Sequence, residues 1–211
     1  VGIPLLLNSW YFPEGDPAHL PPPRTFPAGW QIPGPDLVLE MPEPFTVPAE
    51  GTIEYQYVRV DPGFTTDRWV TAAEILPGNA AVVHHCNVFL QPPGVADADD
   101  LRESGKLGSY CLAMTAPGTP PMVLPPGMAK RIPAGWRIVF VLHYQAVGSV
   151  QTDRTRLALT FADPAGVRKE VATKLMYDAD LRIPPGEKNY VVSQTWRVEK
   201  DVLLLSLFPH A

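Results

Sequence analysis

Cysteine and histidine are scarce in this chain, with two and five in 211 residues. Cys86 and Cys111 allow one disulfide at most, or two buried thiols, and the sequence leaves that choice open. Basic residues are scattered, with no Lys/Arg block, and the net charge is −5. Nucleic acid and anionic membranes are therefore not expected partners. The longest apolar stretch, Val202 to Phe208, is far too short to span a bilayer. There is no glycine-rich phosphate loop, no GxSxG elbow, no CxxCH haem site and no HExxH motif. No signal peptide is visible and the first residue is Val1, so a processed or trimmed fragment is expected, and secretion stays open.

What is present reads as β structure. Hydrophobic residues make up 45% of the chain, enough for a substantial core, while 26 prolines and 16 glycines interrupt it too often for long helices. Residues 1–35 form a Pro-rich segment or linker, in which Trp10, Tyr11, Phe12 and Trp30 suggest that part of it docks. From Asp36 onward, short alternating runs are separated by turn residues. Strands are expected at Leu37–Glu40, Phe45–Val47, Thr52–Val60, Trp69–Leu76, Ala81–Leu90, Met128–Ile132 and Arg137–Gln145. Further ones are expected at Arg156–Phe161, Glu170–Met176, Tyr190–Val198 and Val202–Phe208. A short helix fits only 96–102, and Thr115 to Pro126 reads as loop. The pattern predicts an all-β fold, an antiparallel jelly-roll β-sandwich over 36–200, with 201–211 beginning a further domain.

The chemistry is concentrated in the histidines. His84 and His85 sit inside the apolar, β-branched run 81–90, and His143 interrupts a second such run. A lone strand histidine is ordinarily a core residue satisfied by one hydrogen bond. Three that converge are harder to explain by packing, since unpartnered burial costs on the order of 1–3 kcal/mol each. Imidazole is the commonest protein ligand for metals, so His84, His85 and His143 are the candidate metal ligands. In a flat strand His84 and His85 point to opposite faces, and both reach one metal only if the strand is bulged, twisted or at an edge. A regular strand also places Cys86 on the face of His84. Glu74 and Asp153 are candidate outer acceptors for imidazole N–H groups, and Met114, Met122 and Met128 are candidate thioether ligands. His19 reads as a loop residue. A three-histidine set suits zinc as well as copper.

Glu74 through Asn79 followed by Val82-Val83-His84-His85 resembles the first copper motif of the copper type II, ascorbate-dependent monooxygenases, the family of peptidylglycine α-hydroxylating and dopamine β-monooxygenases. Leu142-His143-Tyr144, with Asp153-Arg154 and the run 157–161, is similar to the strand that supplies its third histidine. Leu205 to His210 resembles the start of the next motif, a His-x-His pair. Phe26 to Trp30, Leu124 to Gly127, Ile132 to Gly135 and Ile183 to Gly186 look like the bacterial branch, in which a c-type haem module often precedes this region. The resemblance covers most of the chain from about residue 24.

It implies a copper-binding electron-transfer domain held by His84, His85 and His143, periplasmic or secreted, within an oxidoreductase that inserts one oxygen atom. Ascorbate or a haem module would supply electrons. Hydroxylation of a small-molecule or peptide substrate would need a second copper domain, of which His210 would be a remnant ligand. Two other readings stand beside it: a non-catalytic β-sandwich module for binding or assembly, and a zinc hydrolase, which would need a general base near the histidines.

Overall fold

The computed structural model describes residues 29–95, 110–176 and 181–208. His19, His210, the aromatic residues at 10–12 and the expected helix at 96–102 lie outside the described residues.

The described chain is almost entirely β. Its strands are β1 (Leu37–Glu40), β2 (Phe45–Val47), β3 (Gln56–Val60), β4 (Arg68–Leu76), β5 (Val83–Gln91) and β6 (Cys111–Thr115), then β7 (Met122–Val123), β8 (Met128–Ile132), β9 (Arg137–Tyr144), β10 (Gln151–Asp153), β11 (Arg156–Phe161) and β12 (Lys169–Glu170). A single 3-10 turn, Pro164–Gly166, is capped by the Asp163 carboxylate. One sheet runs β1-β11-β4-β8-β12, with β7 also on β4; a second runs β3-β9-β5-β6; β2 and β10 form a separate pair. Pairing is antiparallel except between β8 and β12.

The two large sheets enclose a common core, a sandwich-like arrangement. Val70, Ala73 and Ile75 of β4, Ile132 of β8, and Leu157 and Leu159 of β11 meet Cys86, Val88 and Leu90 of β5 and Ile138, Phe140 and Leu142 of β9. On β5, β9 and β11 the set recurs at every second residue, as the two-residue period of a strand requires; on β4 Val70 falls out of step with Ala73 and Ile75, where the β4–β11 register shifts. The outer faces are also partly covered. Ile32, with Trp30 beside it, packs on Ala72 and Ala158 of the larger sheet, and Arg156 lies over the Trp30 ring. Glu74, buried on that face, accepts the main-chain N–H groups of Gln31 (2.6 Å) and Ile32 (3.0 Å). The end of the Pro-rich segment thus docks, as Trp30 suggested.

Lys130 links the sheets. From β8 its buried ammonium donates to the carbonyls of Cys111 (3.0 Å) and Leu112 (2.8 Å) on β6 and to the Thr173 hydroxyl (2.8 Å). Three donors meet three acceptors, which offsets a burial that pulls the lysine pKa down.

Three expected strands do not form. Residues 171–176, 190–198 and 202–208 have no strand structure, and every described residue from 181 to 208 is exposed. Their apolar content resembles a strand's, but a strand also needs a neighbour for its N–H and C=O groups. Beyond Val171, whose N–H donates to the Ala129 carbonyl at 2.8 Å, no strand ladder extends along them among the described residues. Among the described residues the last paired strand ends at Glu170. Conversely, β6, the short β7 within the expected loop and β10 went unrecognised, and β12 overlaps the expected strand only at Glu170; they are brief segments fixed by their partners.

The turn that feeds β5 depends on Gly78. A Cβ there would lie 2.7 Å from both the N and O of Arg154, main-chain atoms that cannot swing aside. Gly78→Ala is therefore expected to destabilise the fold by about 1–3 kcal/mol, the usual cost of overpacking, read as a lower urea midpoint with unchanged slope.

Candidate metal centre

β5 and β9 are neighbours at the middle of the four-stranded sheet, and their register breaks at one place. Val83 faces Tyr144 and His85 faces His143, so β5 spends two residues where β9 spends one. This is a β-bulge at His84. Without it, alternation would send His85 into the core. With it, Val83 points in, His84 and His85 both lie on the outer face, and Cys86 returns to the core. The bulge that binding by both histidines demands is present. It also separates Cys86 from the histidines, contrary to the regular-strand expectation.

The three imidazoles converge. One ligand nitrogen from each of His84, His85 and His143 lies within 4.8 Å of the others, and this group can hold a metal ion. The Nδ1 atoms of His84 and His143 are 3.4 Å apart. Imidazole nitrogens bound tetrahedrally at about 2.0–2.1 Å sit about 3.3–3.4 Å from one another, so this edge already has the spacing of a shared metal. Ring centroids are separated by 5.3 Å (His84–His85), 5.2 Å (His84–His143) and 5.1 Å (His85–His143). His85 is buried, His143 half-buried and His84 exposed, so the cluster is rooted in the sheet and open to solvent on one side.

Tyr55 completes the surroundings, and the sequence reading did not single it out. Its ring stacks on His143 (centroids 4.8 Å, 24° between planes), and its hydroxyl is 3.4 Å from His85 Nε2. Its place is set by register, which the sequence does not show: β3 pairs with β9 through Gln56↔Leu142, which carries the preceding residue alongside His143.

The outer acceptors are placed elsewhere. Glu74 belongs to the other sheet and is occupied by Gln31 and Ile32. Asp153, buried, accepts from the Tyr144 hydroxyl (2.9 Å), the Thr155 hydroxyl (2.7 Å) and the Asn79 N–H (2.9 Å). Its contribution is indirect: it ties the turn before β5 to the residue after His143, from behind the sheet. Burial, then the Asp153 charge, pushes the Tyr144 phenol pKa well up, so it remains a donor. Met114 packs beside Phe89 and Cys111, and Met122 packs against the main core.

No disulfide joins Cys86 and Cys111; both are free and buried. In the β5–β6 ladder Cys86 faces Thr115 and Cys111 faces Phe89, and their side chains belong to clusters on opposite faces of the sheet. Burial raises both thiol pKa values, that of Cys86 most strongly. Both thiols are expected to resist alkylation at pH 8 in the folded chain and to react fully in denaturant, because the thiolate is the nucleophile.

No family model, curated protein or solved structure matches the chain significantly.

Deleting His84 tests the bulge directly. The strand would then pair regularly, with His85 still opposite His143 and the core set unmoved. The deletion is expected to leave the unfolding midpoint nearly unchanged while metal affinity falls by at least the roughly 100-fold that loss of an outer-shell partner can cost.

Proposed function

We propose that this chain is a copper-binding electron-transfer domain of a monooxygenase-like oxidoreductase, with His84, His85 and His143 as the ligands. The observation that carries the reading is the bulge at His84, which puts three imidazoles on one face with the His84 and His143 Nδ1 atoms 3.4 Å apart. Copper takes precedence over zinc because divalent affinity for nitrogen donors peaks at Cu(II). In addition, the cluster contains no carboxylate among the described residues, which leaves a hydrolytic zinc site without a nearby general base. Copper held by neutral imidazoles supplies one-electron chemistry between Cu(I) and Cu(II).

The resemblance of 74–85, 142–144 and 205–210 to the copper type II monooxygenases rests on those motifs. On that reading the sandwich is of jelly-roll type, the protein is exported, and hydroxylation belongs to a second copper domain, with ascorbate or a haem module as electron source. A recognition or assembly module is the rival, and one observation favours it: Tyr190 to Phe208 exposes Val191, Trp196, Leu203, Leu204 and Leu207, an apolar stretch of the kind a binding module presents.

Metal analysis and Cu(II) titration, with His143→Ala as control, separate the two. The copper reading expects about one tightly bound copper per chain, an EPR spectrum with nitrogen splitting, and collapse of both in the variant. Absence of stoichiometric copper, or binding indifferent to His143, would overturn it in favour of the recognition module.

A further inference from the structure

The Tyr55 phenol is a polar group outside the three imidazoles that a hydrogen bond and a ring contact both place on them. A residue present only to fill space would not aim its single polar atom at a ring nitrogen. Nor is Tyr55 needed for the core: it is 43% exposed and precedes β3 rather than belonging to it. Two contacts fix its place. The ring lies nearly parallel to that of His143 with centroids 4.8 Å apart, and the hydroxyl approaches Nε2 of His85 at 3.4 Å.

We propose that Tyr55 is a positioning residue of the metal centre, which selects the His85 nitrogen that faces the metal and holds the His143 ring in place. The inference rests on the metal-centre reading above. A neutral imidazole carries one proton, and the nitrogen that keeps its lone pair is the one able to ligate. With the phenol oxygen accepting from Nε2–H, the proton of His85 is held on Nε2 and the lone pair is left on Nδ1. His84 and His143 already present Nδ1 to each other, so the selection gives three ligands of one kind. The stacked ring adds a second constraint, since rotation of the half-buried His143 imidazole would break the contact. Outer partners of this sort both orient a ligand and raise its basicity.

The two contacts can be separated by substitution. Tyr55→Phe keeps a ring for His143 and removes the oxygen; Tyr55→Leu removes both. The measurements are the Cu(II) dissociation constant by competition titration, the EPR spectrum of the copper-loaded chain, and the unfolding midpoint of the metal-free chain. Tyr55→Phe is expected to weaken copper binding about tenfold, the lower end for loss of an outer partner, and to alter the nitrogen splitting. Tyr55→Leu is expected to weaken it further, and both variants should unfold at the wild-type midpoint. Wild-type affinity and spectrum in a folded Tyr55→Phe chain would overturn the role of Tyr55 while leaving the copper site intact. A wild-type chain that takes up no copper would instead overturn the metal centre, and this inference with it.

Discussion

The site depends on one extra residue. A β-strand has a strict two-residue period, so adjacent side chains point to opposite faces unless the ladder is broken. The break at His84 changes the phase of β5 by one. Downstream of it, Cys86, Val88 and Leu90 fill the core against Ile138, Phe140 and Leu142; upstream, Val82 and Val83 do the same. The bulge is what lets both apolar sets stay inside while two consecutive histidines stay outside. The fold and the site therefore make one demand of the backbone.

A bulge needs its flanks held, and the structure holds them from behind. Asp153 accepts from Asn79, just before β5, and from Tyr144, just after His143. Gly78 admits the Arg154 backbone at a distance no side chain would permit. Tyr144 is stacked on Phe45 and buried in the core. The histidine strands are thus anchored at both ends through a buried carboxylate network, and such networks favour one arrangement when every member is satisfied. His84 sits at the exposed apex of the bulge.

Much of this was legible beforehand, for identifiable reasons. The histidine strand and the His143 strand are long and apolar, and such runs leave little choice of structure. The turns at Pro77-Gly78-Asn79 and Pro133-Ala134-Gly135 were legible too, although the second, which reads as hairpin-like, carries the chain from one sheet to the other as the first does. The need for a bulge followed from the side-chain period alone. Tyr55 was less accessible, because its place depends on the β3–β9 register. Glu74 and Asp153 were recognised as notable carboxylates but assigned to the wrong partners: a carboxylate within an apolar run implies burial and a donor, without saying which donor. The strands expected beyond residue 170 failed for a related reason. Local composition resembles a strand's there, while pairing is a property of two segments.

What the sequence determined by itself is whatever depends on near neighbours along the chain: an all-β class, the turn positions, the buried faces of the long strands, and the identity of the three imidazoles. Tertiary structure alone decided which residues meet. It brought His143 beside β5, took Asp153 away from the imidazoles to the back of the sheet, set Tyr55 over His143, and put the two thiols on opposite faces. The reason is physical. Alternation and turn chemistry act over a few residues, whereas register is settled by the packing of an entire face, and a shift of one residue exchanges the inside of a strand for its outside.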